Sequence, residues 1–327
     1  MSDDTRFLYL TRSEIGGLDI DYGDMIDGVE TAFRAWTSGK AIAHPKVASL
    51  TDVGSFFYGL NACSSKLGYN ICHNSMGVQA ELARPGMHHL NGMQILSDYR
   101  TAQPLAAMDT FWASTWIPAA VSGLAARYFA RPDSRVLGII ATGAQARVHV
   151  PALRAVLPIE KVVAYNRSRS GAGAFAAEFA DSGIEIEITD DPRVAVEAAD
   201  VLVTAVPVSA NTKPILDPAW VRPGTWCSLV DLARSWHPGL ESFELTATDD
   251  HDQAKHEVEI GRFKMTGPFD VDLRELVSSA KNVSPKPEDR RVICHSGHAI
   301  GILALAKLVY ETAQAKGVGT RLPANWS

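Results

Sequence analysis

From Arg135 onward, short apolar runs alternate with segments of helical length, and this alternation narrows the fold more than any other feature of the chain. VLGII reads as a strand, GAQARVHVPALRAV as a helix, KVVAYN as a strand and GAGAFAAEFA as a helix. EIEIT, VAVEAA, VLVTAV and WCSLV continue as strand, helix, strand and strand. β-Branched runs separated by helices predict a parallel sheet covered on both faces, since strands buried on both sides lose the apolar-polar alternation. Right-handed crossovers then gather the carboxyl ends of the strands along one edge, where a ligand would sit.

The first third has a different rhythm. Ile26, Val29, Phe33 and Trp36 form one apolar stripe with Asp24, Asp27 and Glu30 between them, predicting an amphipathic helix that ends near Gly39. Strand-like pieces follow at Phe56 and from Leu67 to Cys72, and MQILSD and PLAAMD read as a hairpin joined by Tyr99 to Gln103. Ser114 or Thr115 would cap the next helix, with Pro118 in its first turn and AAVSGLAARYFA bridging two domains. Asp249 to Arg291 reads as polar and irregular. A last apolar helix, from about Ala299 to Ala315, would pack back on the first domain and make it discontinuous. The expected fold class is therefore α/β: a Rossmann dinucleotide-binding domain over 117–298, plus a mixed α+β substrate and dimerisation domain from 1–116 with 299–327.

At 327 residues, 46% of them hydrophobic and 21% charged, the chain has material for a sizeable core. A net charge of −6 favours solubility and argues against a broad nucleic-acid surface. Neither a leader pattern nor an apolar run of about 18 residues stands out, so a cytoplasmic protein with no membrane contact is expected. Cys63, Cys72, Cys227 and Cys294 are scattered, which suits reduced thiols, and no compact metal-ligand spacing is present.

VLGIIATGAQA places Ala141, Thr142, Gly143, Ala144 and Gln145 at the turn from the first strand into a helix, where backbone amides and the positive helix end can meet a diphosphate. Ala141 stands where the usual fingerprint has its first glycine. The next strand ends at Asn166, followed by Arg167, Ser168 and Arg169, with no acid to grip a ribose 2′-hydroxyl. Two guanidiniums and a hydroxyl suit a 2′-phosphate, which predicts NADP(H). Thr204, Ala205 and Val206, in the stretch TAVPVS that runs to Ser209, should line the far half of the cofactor.

These segments together resemble the ornithine cyclodeaminase and mu-crystallin family: Asp98 with PLAAMD, AAVSGLAARYFARPDSRVLGII, TGAQA, VVAYNRS, ADVLVTAVP, the pair Asp249 and Asp250, and GHAIGILALAKLVYETAQAKGVGT. The resemblance spans nearly the whole chain. It implies a dimer, a nicotinamide cofactor and hydride exchange at a carbon bearing nitrogen, with basic residues clamping the substrate carboxylate. At the family's basic positions this chain has Lys46 in HPK, Asn70 in LGYN and Ile117 in WIPAA, and an acidic pair near the C-terminus is replaced by Gly301 and Ile302. Losing cationic anchors argues against a simple α-amino acid held in the usual pose, because a half-satisfied buried carboxylate is costly.

Asp231, at the end of WCSLVD, is the candidate general acid or base, or the orienter of a histidine. Lys46 and Asn70 would orient the substrate, His73 could transfer a proton near neutral pH, and His88 or His89 could face the cleft. His298 would close over the cofactor. The expected activity is NADP(H)-dependent reduction of an imine or ketimine. A cyclodeaminase, a carbonyl-reducing dehydrogenase and an NADPH-binding protein with little catalysis stand as alternatives.

Overall fold

The computed structural model describes residues 6–53, 55–78, 90–207, 212–281, 283 and 285–323. It divides into two compact units, residues 1–117 with 297–327 and residues 118–296. The chain opens with β1 (Arg6–Leu10), α1 (Arg12–Gly16) and α2 (Tyr22–Thr37). Next come β2 (Ala41–Ala43), β3 (Val47–Leu50), β4 (Ser55–Ser64), β5 (Tyr69–Val78), β6 (Leu90–Asp98) and β7 (Pro104–Asp109). The unit boundary falls inside α3 (Phe111–Phe129).

The second unit continues with β8 (Val136–Ile140), α4 (Ala144–Arg154), β9 (Lys161–Tyr165), α5 (Arg169–Glu178) and β10 (Glu185–Thr189). It goes on through α6 (Pro192–Ala198), β11 (Val201–Thr204), β12 (Trp226–Leu229) and β13 (Leu245–Thr248). It closes with α7 (His251–Glu259), β14 (Val271–Asp272), α8 (Leu273–Ser278) and β15 (Arg291–Cys294). The chain then returns to the first unit as α9 (Ala299–Lys316) and β16 (Thr320–Pro323).

In the first unit the strand order is β16-β1-β7-β6-β5-β4-β2, with β3 pairing with β4. Only β1 with β7 is parallel, so the sheet is mixed. The apolar stripe of α2, with Met25, Ile26, Val29 and Phe33 buried, packs on α9, which also lies against β4 and β5. Asp21 caps α2 by accepting from the amides of Gly23 and Asp24, so the helix begins earlier than the apolar stripe alone suggests. α3 likewise starts before the expected caps, because Asp109 accepts from the Phe111 amide. Ser114 and Thr115 lie inside it and donate back to the carbonyls of Thr110 and Phe111.

In the second unit eight parallel strands run in the order β10-β9-β8-β11-β12-β15-β13-β14. Val201, Leu202 and Val203 of β11 are fully buried, each worth roughly 1.5–3 kcal/mol of apolar burial. The strand order reverses between β8 and β11, which puts the crevice for a ligand at the carboxyl ends of these two strands. The stretch from Asp249 to Arg291 is not irregular throughout. Asp250 accepts from the Gln253 amide to start α7, and Asp272 and Glu275 form a reciprocal capping box on α8. Among the described residues, no helix is long and apolar enough to cross a membrane.

Candidate dinucleotide and catalytic site

The turn after β8 is built for an anion. Ala141 takes φ 74°, a left-handed conformation that suits glycine, and its amide donates to the Tyr165 carbonyl. The Thr142 amide donates to Asn166 Oδ1 at 3.3 Å, and Asn166 Nδ2 donates to the Ser168 carbonyl at 2.9 Å, so the turn is tied to the end of β9. Gly143 caps α4 with extended backbone and no side-chain cap, and a Cβ there would meet nothing within 4 Å. No N-cap side chain therefore occupies the first amides of α4. Thr142 Oγ1 is buried with no hydrogen-bond partner among the described residues. An uncapped helix start beside an orphaned hydroxyl fits the diphosphate of a dinucleotide.

Past Asn166, Ser168 accepts from the Gly171 amide and caps α5. Arg167 and Arg169 are both exposed, and Arg169 is ion-paired with Asp190. The charge expected to meet a 2′-phosphate is thus already balanced, at this arginine, by a carboxylate.

Just past the end of β12 lies a buried acid held on both oxygens. Asp231 is 1% exposed; it accepts from Thr204 Oγ1 at 2.9 Å on one oxygen and from Ser235 Oγ on the other. Trp236 Nε1 donates to Thr204 Oγ1 at 3.3 Å, fixing that hydroxyl in turn. Burial pushes the Asp231 carboxyl up to about 6, against the pull of the hydroxyls and amides around it. Leu232 and Ala233 follow at φ 60° and 62°, and two successive left-handed non-glycine residues cost of order 1–2 kcal/mol each. Such strain beside a buried acid is typical of a working site. Ala205 donates its amide to the Ile140 carbonyl, and Val206 packs on the core. Ser235 and Trp236 were not singled out from sequence; the signal was the spacing in DLARSW, which returns the chain to Asp231 after a tight turn.

The remaining candidates lie in the first unit. Lys46, buried, places Nζ 5.4 Å from the centre of the Tyr58 ring. His73, on β5, donates from Nδ1 to Gln94 Oε1 at 2.8 Å, while Gln94 Nε2 points to Met108 Sδ. Burial pushes His73 down to about 4, so it is a neutral imidazole rather than a proton donor near neutral pH. Asn70 is three residues from His73 on the same strand and faces the opposite side of the sheet, where it donates to the Asp98 carbonyl. The structure therefore does not bring these two together. His298 caps α9 by accepting from the Ile300 amide and stacks on Trp36 with ring centres 4.5 Å apart. His88, His89 and Ser209 lie outside the described residues.

An eight-stranded parallel sheet, a reversal of strand order and an uncapped helix start at that reversal define a Rossmann-type dinucleotide-binding protein. Residues 8–317 match the model of the ornithine cyclodeaminase/mu-crystallin family, and the chain belongs to that family. It is 31% identical over 330 residues to an alanine dehydrogenase of Archaeoglobus fulgidus, covering 96% of this chain and 98% of that one. It is 29% identical to a Delta(1)-pyrroline-2-carboxylate reductase of Bacillus cereus, over 72% of this chain and 75% of the relative.

Among solved structures, Delta(1)-pyrroline-2-carboxylate reductase of Thermococcus litoralis, in complex with NADH and L-proline, superposes with TM-score 0.87 at 26% identity, covering 97% of this chain and all of that one. An archaeal alanine dehydrogenase dimer with bound NAD gives TM-score 0.86 at 27% identity over 98% of this chain and 100% of the other. These complexes overturn the expectation of NADP(H) and of an NADP(H)-dependent imine reductase: the relatives hold NADH and NAD. Here Arg169 is ion-paired with Asp190, a carboxylate that the tripeptide alone does not reveal.

Proposed function

We propose that the chain is an NAD(H)-dependent oxidoreductase that interconverts an amino acid and its imine, of the kind that links Δ1-pyrroline-2-carboxylate with proline or iminopropionate with alanine. The observation that carries this reading is Asp231, buried and pushed up to about 6, on the same sheet edge as the uncapped turn at Gly143. When bound, the nicotinamide supplies or accepts the hydride. Gly143, Ala144 and Gln145 would receive the diphosphate on the first amides of α4, with the Thr142 hydroxyl beside them. Thr204 and Ser235 hold the two carboxyl oxygens of Asp231, which gives a proton to the substrate nitrogen or takes one from it. We also propose a homodimer, supported by the dimeric alanine dehydrogenase relative and by Val47, Phe57 and Met93, exposed on β3, β4 and β6.

The test is oxidation of NADH by purified protein, with Δ1-pyrroline-2-carboxylate and with pyruvate plus ammonium, run in parallel with NADPH. Turnover is expected with one of these substrates, with kcat/KM at least tenfold higher for NADH. Preference for NADPH, or no turnover on either substrate, would defeat the proposal.

A further inference from the structure

Four side chains far apart in sequence meet in the interior of the second unit: Ser122 of α3, His149 of α4, Ser228 of β12 and His295, just past β15. All four are at most 1% exposed. Burial lowers both histidines, and among the described residues no carboxylate touches them, so both imidazoles are neutral. A neutral imidazole has one donor and one acceptor nitrogen, which lets the direction of every bond in the cluster be assigned.

The direction is set at one end by a group that only accepts. His149 Nδ1 lies 2.7 Å from the Gln145 carbonyl oxygen, the stronger of the two backbone acceptors beside this ring, the other being the Pro118 carbonyl, so Nδ1 carries the proton and Nε2 accepts. Ser122 Oγ, 3.0 Å from that Nε2, must donate to it. Its hydroxyl proton thus committed, Ser122 receives from Ser228 Oγ at 2.8 Å. Ser228 has then also spent its proton. His295 Nε2, 3.2 Å from Ser228 Oγ and 3.3 Å from Ser122 Oγ, must be the protonated nitrogen that donates to the pair. His295 Nδ1 is left as a bare lone pair, buried and with no hydrogen-bond partner among the described residues. A buried acceptor left unmet costs of the order of a lost hydrogen bond, so a site of this kind calls for a donor.

His295 follows β15, on the same side of the strand reversal as β11 and β12. In a dinucleotide laid across that reversal, the adenosine half lies toward β9 and the nicotinamide half toward β11, β12 and β15. We propose that His295 Nδ1 accepts a hydrogen bond from the carboxamide N–H of the nicotinamide, in a tautomer fixed through Ser228, Ser122 and His149 by the carbonyl of Gln145 in the diphosphate-binding turn. The inference rests on the cofactor reading above. It makes His295 a residue that selects the carboxamide, held in place by a relay that starts where the diphosphate would bind.

The experiment compares binding of NADH with that of reduced 3-acetylpyridine adenine dinucleotide, in which a methyl replaces the amide nitrogen and removes the donor. Wild-type protein should bind NADH roughly three- to tenfold tighter, the worth of one hydrogen bond. His295→Gln keeps a donor near the Nε2 position and loses the acceptor, so it should bind both nucleotides equally, with affinity for the analogue unchanged. His295→Asn, whose oxygen reaches the Nδ1 position, should retain part of the preference. Full preference in His295→Gln would overturn the proposal and assign Nδ1 to a buried water. Failure of the wild type to bind either nucleotide would defeat the cofactor reading, and this proposal with it. Independently of any variant, ¹⁵N NMR of the wild type should show His295 protonated at Nε2 and His149 at Nδ1. The His295 Nδ1 resonance should move on addition of NADH more than on addition of the analogue; the opposite His295 tautomer, or equal movement with both, would overturn the proposal.

Discussion

Ala141 adopts a glycine conformation without being glycine, and the cost is local. An alanine at φ 74° is strained by roughly 1–2 kcal/mol, whereas glycine there would add about 0.5–1 kcal/mol of unfolded-state entropy to be lost. Ala141→Gly should therefore leave the protein as stable or up to about 1 kcal/mol more stable in a denaturant titration, with NADH affinity unchanged; a clear destabilisation would show that the methyl packs usefully. On the proposed function, turnover should depend on Asp231. Asp231→Asn keeps the shape and removes the titrating proton, so kcat should fall about 10²- to 10⁴-fold with little change in the Kd for NADH. In the wild type, imine reduction needs the protonated carboxyl and should decline as pH rises through about 6, while amino-acid oxidation should rise. A profile flat across that range would remove Asp231 from proton transfer.

The regular elements were legible wherever period and length agreed. The stripe Ile26, Val29, Phe33, Trp36 marks α2, the hairpin of β6 and β7 follows from its turn, and β8, β9, β11 and β12 are mostly apolar runs, whereas the short strands β13, β14 and β15 did not stand out. α7 and α8 were not seen, because α7 is mostly polar, α8 is only six residues long, and their signals are the caps Asp250 and Asp272. The turn from β8 into α4 could be read because its residues are contiguous. The cluster of Ser122, His149, Ser228 and His295 could not, since only packing of α3 and α4 against the sheet unites residues up to 173 positions apart. The exposed face of β3, β4 and β6 carries its own expectation. Phe57→Glu should shift the protein from dimer toward monomer in analytical ultracentrifugation; an unchanged dimer would place the interface elsewhere.

For the molecule as a whole, buried neutral imidazoles make stability depend on acid. His73, His149 and His295 are lowered to about 4, 4 and 3, but take protons near 6.5 once unfolded. Their contribution is complete above pH 6.5 and is lost as pH falls toward those values, by about 1.4 kcal/mol per pH unit for each. Asp231 works in the opposite sense, since its carboxyl is raised to about 6 and the folded chain holds that proton longer. Between pH 6 and about 4.5 the net loss should correspond to roughly two protons, read from denaturation midpoints at stepped pH. Stability that stays flat over this interval would mean that the three rings are hydrated or already charged in the folded protein.

The interruption of the first unit by residues 118–296 also bears on how the chain is made. On a ribosome, β1 emerges early, yet one of its partners, β16, is synthesised only after the whole second unit, and α2 waits equally long for α9. The second unit holds all of its strands in one continuous stretch and has no such delay. Nascent chains in which Ser296 has just cleared the ribosome should therefore carry a folded second unit and an N-terminal segment still open to chaperones, which is completed only when α9 and β16 follow.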